Sequence, residues 1–364
     1  MTRIAAVHGA LAPHRHAQSA ITDIVARTCL PEGADRRVLD RLHSSAQVRS
    51  RHTTLPLERY GELDGFGAAN DVFITAATDL GARTVREALR RSGFSPADVD
   101  LLIFTSVTGI ATPSIDARLV GRLGLRPDVK RLPLFGLGCA GGAAGLARMH
   151  DYLLGRPDQV AVLLSVELCT LTFQRDDASM ANLVATGLFG DGAAAVVACG
   201  ADRAAARAGS AEGTAGLASD GPTVIDTRSH LYPDTGSVMG WEIRTSGFQV
   251  VLDPRVPDVV RRYLAEDVEG FLGDHGLKPK DVTAWVCHPG GPKVLHAVTD
   301  ALDLPEGALD VTWRHLKDVG NLSSSSVLHV LRDTLADRRP APGTPGLLLA
   351  MGPGFACELV LLRW

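Results

Sequence analysis

Short continuous apolar runs alternate along the chain with longer segments whose apolar residues recur at helical spacing. Ile4 to His8 reads as a first strand. Asn70 to Ser92 reads as an amphipathic helix carrying Val72, Ile74, Ala77, Leu80, Val85 and Leu89, and it stops at Gly93. Leu101 to Phe104 is apolar on both faces, which predicts a sheet covered on both sides. Leu132, Leu134, Phe135 and Leu137 predict a buried strand. After it, Ala144, Leu146, Ala147, Tyr152, Leu153 and Leu154 take up helical spacing. Buried strands are expected over Asp158–Val166 and Ala193–Ala198, with a turn at Gly187–Gly192 between them. Residues 200–222, rich in Ala, Gly, Ser and Asp, predict a connection. The polar, Gly-punctuated strands of 223–252 read as a pocket wall or lid. Helices over Val259–His275 and Ser323–Leu335 and strands over Gly346–Met351 and Glu358–Leu362 follow. Gly352-Pro353-Gly354 forms a tight turn between the last two.

Part of this pattern occurs twice. Gly93-Phe-Ser-Pro96-Ala-Asp98-Val99 leads into one apolar strand, and Gly276-Leu-Lys-Pro279-Lys-Asp281-Val282 leads into Ala284-Trp285-Val286-Cys287. The offset is 276 − 93 = 183 residues, and each copy follows a helix ending in Gly. Such a repeat implies a duplicated fold. The same offset carries Cys139 onto Leu322, beside Asn321, so the two turns are expected to face each other across a pseudo-twofold axis. The halves are placed at 1–220 and 221–364.

Composition narrows the class. The 364 residues exceed the roughly 150 expected of one domain. With 45% hydrophobic and 21% charged residues the chain reads as soluble and globular. A net charge of −4 speaks against a general nucleic-acid binder. No apolar run approaches the ~20 residues of a membrane span, and the N-terminus lacks the pattern of a signal peptide. Six scattered cysteines without a C-x-x-C pair fit a reducing cytoplasm and supply neither a metal site nor a disulfide framework.

The candidate chemistry lies at the ends of buried elements. Cys139, in Gly138-Cys-Ala-Gly-Gly142, sits at a strand-to-helix turn, where a helix N-terminus favours thiolate over thiol. Read alone, it is equally a small buried hydrophobe. His288 ends a core strand ahead of the rigid turn Pro289-Gly-Gly-Pro292. Asn321 follows Gly320 and precedes Ser323–Ser326, a run suited to helix capping. Each has a bland reading, as a structural histidine or a turn asparagine. The duplication that brings their loops together favours the functional one. Five arginines (36, 37, 41, 49 and 51) mark a stretch read either as a solvated face or as a landing site for phosphates. His14 and His16 are expected in an exposed loop.

With these motifs go Leu188-Phe-Gly-Asp-Gly-Ala-Ala-Ala195, Gly320-Asn-Leu-Ser-Ser324 and Gly352-Pro-Gly-Phe355. Together they resemble the type III polyketide synthases of the chalcone synthase group, over nearly the whole chain from Arg36 to Trp364. The resemblance implies an α/β, thiolase-like fold with a duplicated α/β/α/β/α layered core, a homodimer, and a Cys139-His288-Asn321 triad. It implies acyl-CoA and malonyl-CoA as substrates, with no metal and no cofactor. By the same resemblance Thr108, Cys169, Thr172, Ser323 and Gly354 line the acyl pocket and Arg41 contacts the CoA phosphates, with Arg37, Arg49 or Lys293 expected to compensate for basic residues missing beside it. Two lysines that accompany Arg41 in the plant enzymes fall on Val38 and Ser45, so that contact set is incomplete here. Thr112-Pro113 matches a loop that reaches across the dimer.

The stretch Cys169–Gln174 resembles bacterial alkylresorcinol or alkylpyrone synthases, which implies a fatty acyl-CoA starter and a resorcinol, pyrone or related product. A ketosynthase III-type condensing enzyme is the same-fold alternative. A papain-like cysteine hydrolase and a non-catalytic acyl-CoA-binding protein are alternatives of other classes.

Overall fold

The computed structural model describes residues 1–175, 177–208 and 221–364. In chain order its strands are β1 (Thr2–Leu11), β2 (His14–Ala17), β3 (Ser50–Thr53), β4 (Val99–Thr105), β5 (Lys130–Leu134), β6 (Val160–Leu168) and β7 (Asp191–Gly200). There follow β8 (Thr223–Leu231), β9 (Met239–Arg244), β10 (Gly247–Leu252), β11 (Ala284–Cys287), β12 (Pro345–Gly352) and β13 (Ala356–Arg363). Nine of them form one sheet in the order β11-β12-β13-β8-β1-β7-β6-β4-β5.

That order contains the repeat. β4 runs parallel to β6, then β7 and β1 add antiparallel. β11 runs parallel to β12, then β13 and β8 add antiparallel. The halves join where Thr2 and Arg3 pair with Val224 and Thr223. Gly93 and Gly276 end their helices with φ of 69° and 67°, a conformation that favours glycine. Asp98 and Asp281 each accept the backbone N–H three residues earlier, at 2.8 Å in both copies. The helices Gly141–Gly155 and Ser324–Asp337 start 324 − 141 = 183 residues apart.

Five layers result. The helix Gly65–Ser92 covers one face of β1, β6 and β7 through Ala77, Leu80, Val85 and Leu89. The helices Gly141–Gly155 and Ser324–Asp337 lie between the half-sheets, joining Leu146, Val327 and Leu331 to Leu163, Val196, Leu348 and Val360. The helices Val256–Gly273 and Pro292–Leu302 cover the far side through Leu264, Val268, Leu295 and Val298. Successive strand residues point to opposite faces, so Leu347 and Leu349 serve the outer core while Leu348 and Ala350 serve the inner one.

Several expectations are corrected. The strand before Cys139 is not buried: β5 lies at the sheet's free edge, and Leu132 and Phe135 are 36% and 52% exposed. Its position after the offset falls in the helix Asp310–Val319, so the second half lacks this strand. Of 223–252, β8 belongs to the main sheet, and only β9 and β10 form a separate hairpin. Asp191 opens a strand rather than a turn. His14 and His16 lie in β2, half-buried. The connection read at 200–222 begins as a helix, Ala201–Ala208, and the rest of it mostly lies outside the described residues. Among the described residues no helix is long and apolar enough to cross a membrane.

Candidate active site

Three loops bring the predicted triad together. After β5 the chain passes Gly136 and Gly138, with φ of 90° and 51°, and a short 3-10 turn places Cys139 at the start of the central helix. A Cβ on Gly138 would come within 2.4 Å of the Pro353 ring, and one on Gly352 within 2.5 Å of the Leu137 carbonyl. The glycines of both motifs thus let these loops touch. His288 follows β11, and its N–H extends the strand pairing by donating to the Leu349 carbonyl at 2.9 Å. Asn321 is held by its backbone. Its N–H donates to the Leu188 carbonyl and its carbonyl accepts from Gly190 N–H, both at 2.9 Å. The Leu188-Phe-Gly-Asp-Gly motif therefore serves as the bed for Asn321.

The side chains converge in a closed space. Cys139, His288 and Asn321 are 8%, 5% and 1% exposed. Asn321 Nδ2 lies 3.4 Å from His288 Nε2. Asn321 Oδ1 accepts the Ser323 N–H at 2.7 Å, which fixes the amide so that its NH₂ faces the imidazole. Cys139 Sγ lies 3.8 Å from Ser323 Oγ. Ser323 has φ of +48°, a strained conformation for a residue with a side chain.

Burial governs the charges. It pushes the Cys139 thiol up to about 12, although the Ser323 hydroxyl opposes the shift, and it pushes the His288 imidazole down to about 3. Burial thus disfavours a lone thiolate and a lone imidazolium alike.

Glu167 lies beneath this group, wholly buried, and the sequence reading missed it. Its carboxylate accepts from Ser324 Oγ, Thr108 Oγ1 (3.0 Å) and Val107 N–H (3.1 Å), and burial raises its pKa to about 7. An acid ending the apolar run Val160–Val166 was a signal, because a buried carboxyl needs partners. Thr108 thus reaches the site by way of Glu167. The Cys169 thiol is raised by burial and by the neighbouring Glu167, Asp191 and Cys139. Thr172 donates to the Cys169 carbonyl at 2.8 Å. Gly354 lies in the turn that carries Pro353.

From Cys169 a cavity of about 270 Å³ extends between the helices Gln18–Cys29 and Met180–Leu188 and the β9–β10 hairpin. Ile21, Val25, Thr172, Phe189, Trp241 and Val250 are among its walls, so the hairpin serves as the pocket wall that was expected. The predicted CoA residues lie apart from this cavity. Arg41 and Lys293 are exposed, and Arg49 pairs with Asp318 at 2.7 Å beside a surface cleft shared with Arg314 and Lys317. Arg51, grouped with four arginines read as a solvated face or a landing site for phosphates, is buried against the cavity. No periodicity separated it from Arg49. Among the described residues no group of three His, Cys, Asp or Glu is placed to hold a metal ion.

Known proteins match this chain throughout. Residues 2–203 match the family model of chalcone and stilbene synthases, N-terminal domain, and residues 224–364 match its C-terminal domain. A 1,3,6,8-tetrahydroxynaphthalene synthase of Streptomyces peucetius subsp. caesius is 59% identical over 363 residues, covering 100% of this chain and 93% of the relative. A putative chalcone synthase of Bacillus subtilis is 38% identical over 336 residues, 90% of this chain and 89% of the relative. The solved 1,3,6,8-tetrahydroxynaphthalene synthase of Streptomyces coelicolor A3(2) superposes with a TM-score of 0.90 at 28% identity, covering 100% of this chain and 99% of that one. The cysteine-hydrolase and passive-binder alternatives fall with these matches. The chain belongs to the chalcone and stilbene synthase family and is a type III polyketide synthase, an acyltransferase with a thiolase-like fold.

Proposed function

We propose that Cys139 carries the growing acyl chain and that His288 and Asn321 together bind the oxyanion of malonyl-CoA decarboxylation. The observation behind this reading is the 3.4 Å approach of His288 Nε2 and Asn321 Nδ2 beside Cys139. His288 takes the Cys139 proton as the sulfur attacks a thioester carbonyl. The CoA thiolate leaves and takes a proton from solvent, giving acyl-Cys139 and CoA and leaving the Nε2–H of His288 in place as a donor. Malonyl-CoA then loses CO₂, and the electrons of the broken C–C bond move onto its thioester oxygen. Two N–H donors converging on that oxygen stabilise the enolate. The enolate carbon attacks the acyl carbonyl, the Cys139 sulfur leaves, and the lengthened chain on CoA returns for another round. These steps call for CoA thioesters as substrates and for no metal or redox group.

Malonyl-CoA is the proposed starter as well as extender, with 1,3,6,8-tetrahydroxynaphthalene as product. The 59% identity to an enzyme of that name supports this. The chemistry balances: five malonyl-CoA give the naphthalene, five CO₂, five CoA and one water. The fatty acyl starter expected from Cys169–Gln174 is a second reading, favoured by the apolar walls of the cavity beyond Cys169. Purified protein given malonyl-CoA alone, and malonyl-CoA with a panel of acyl-CoA esters, separates the two by mass spectrometry. Naphthalene formation from malonyl-CoA alone supports the first, and acyl-primed pyrones or resorcinols alone support the second. Plain hydrolysis or a β-ketoacyl product after one round defeats both.

We also infer a homodimer. The open edge of β5, with Leu132 and Phe135 exposed beside it, supports this, since an unpaired apolar edge invites a partner strand. The six free cysteines, all buried, fit a cytoplasmic protein. Arg41 remains a proposed CoA contact on the strength of the family pattern, and Arg49 and Lys293 are proposed to compensate for the lysines missing beside it.

A further inference from the structure

We propose that Arg51 is an anion anchor in the cavity beyond Cys169, holding a carboxylate at the far end of the chain attached to Cys139. The proposal rests on the malonyl-starter reading and deepens it.

Arg51 is 2% exposed. Its Nε donates to Gln18 Oε1 at 3.1 Å and its Nη1 to the Phe189 carbonyl at 2.6 Å. Its Nη2 is buried without a hydrogen-bond partner, and among the described cavity-lining residues no other side chain has such an atom. The nearby carboxylate, Asp191, does not fill the gap. Its oxygens accept from Thr54 N–H (2.7 Å), Thr54 Oγ1 (2.6 Å), Thr170 N–H (2.8 Å) and Thr170 Oγ1 (2.5 Å). Tyr60, which also lines the cavity, spends its hydroxyl on Thr170. Glu58 stands exposed at the rim. Burial lowers the guanidinium's pKa only to about 10, with Asp191 opposing the shift, so the group stays charged at neutral pH.

The cavity therefore has largely apolar walls and two guanidinium side chains in its lining: Arg175, whose Nη atoms donate to the Gly61 and Leu63 carbonyls at 2.8 and 2.6 Å, and Arg51, which carries a buried donor without a partner. A wholly apolar chain would leave Nη2 unpaired, and an unpaired buried charged donor is costly. A chain begun from malonyl-CoA ends in a carboxylate, the group to which a guanidinium is best matched. Loading is a simple exchange. The Cys139 sulfur–acyl bond forms, the CoA sulfur–acyl bond breaks, His288 takes the thiol proton and the CoA sulfur takes one from solvent.

Arg51 also touches the scaffold. A Cβ on Gly320 would come within 3.0 Å of its stem, and it holds Phe189, which bridges to Asn321. The test must therefore separate anchoring from propping. Intact-mass spectrometry follows acylation of Cys139 by adipoyl-CoA and by hexanoyl-CoA, which differ at the far end of an equally long chain. In Arg51→Gln the ratio of adipoyl to hexanoyl loading should fall about tenfold, with Arg51→Lys intermediate. An unchanged ratio, with both rates lowered or neither, overturns the anchor. Should Arg51→Gln not fold, Arg51→Lys and the unaltered protein decide. Unaltered protein must load adipoyl at least as fast as hexanoyl, and a strong preference for hexanoyl overturns the proposal. The malonyl-starter reading fails separately, if unaltered protein makes no naphthalene from malonyl-CoA alone.

Discussion

Asn321 presents its amide nitrogen to His288 Nε2 at 3.4 Å because Ser323 N–H holds the other end of the carboxamide at 2.7 Å. The two nitrogens leave room for a shared acceptor, beside a sulfur that lies on the Ser323 hydroxyl. Loss of either donor should weaken one step and spare another. Asn321→Ala should slow CO₂ release from malonyl-CoA by about 10²–10³ while Cys139 still acylates. Cys139→Ala should give no acyl-enzyme. Carboxyl-labelled malonyl-CoA and intact-mass spectrometry read the two steps apart. Normal decarboxylation by Asn321→Ala would remove the asparagine from the oxyanion site.

Glu167 should leave a mark on stability. Its folded pKa is raised to about 7 from an ordinary value of 4.5, so the folded state holds the proton more tightly than the unfolded chain. That contribution is complete below about pH 4.5 and is lost as pH rises through about 7. Glu167→Gln should therefore gain on the native protein by roughly 3 kcal/mol across that window, shared differences aside. Urea unfolding of both proteins at several pH values measures this. A constant difference would mean that Glu167 does not titrate there.

At Gly142 the two central helices meet closely. A Cβ there would lie 2.2 Å from the Ser324 carbonyl oxygen and 2.8 Å from Val327 Cγ1. Backbone cannot yield as a flexible side chain can, so Gly142→Ala should cost about 1–3 kcal/mol and displace Cys139 relative to Ser323. Thermal unfolding and the rate of Cys139 alkylation test this. An unchanged melting temperature would show that the helices part easily.

Phe135 tests the inferred dimer. It is 52% exposed just beyond the edge strand β5. Phe135→Asp should lower the mass seen by light scattering from that of two chains to one. A monomeric native protein would refute the inference directly.

Much of this was legible in the chain. The doubled Gly-x-x-Pro-x-Asp signal worked because both copies need the same left-handed glycine and the same carboxylate cap. Strands apolar on both faces announced a covered sheet, since each face meets its own helix layer. The motif around Cys139 was legible because its glycines record close approach, which leaves a mark in residue identity. Two misreadings share a cause. Leu132 and Phe135 looked like core, and their hydrophobicity did not disclose that β5 ends the sheet. Arg51 stood among arginines read as a solvated face or a phosphate site, and residue type did not disclose its burial.

Local sequence thus determined which elements form and which residues could do chemistry, because periodicity, glycine and proline act within a few residues. The tertiary structure alone decided which of those residues meet. It set Glu167 under Cys139, turned the Asn321 amide toward His288, and enclosed one guanidinium N–H without a partner. Those outcomes depend on contacts that local patterns do not reach, across 28 residues for Glu167 and Cys139, 33 for Asn321 and His288 and 138 for Arg51 and Phe189, where desolvation rather than residue type sets the chemistry.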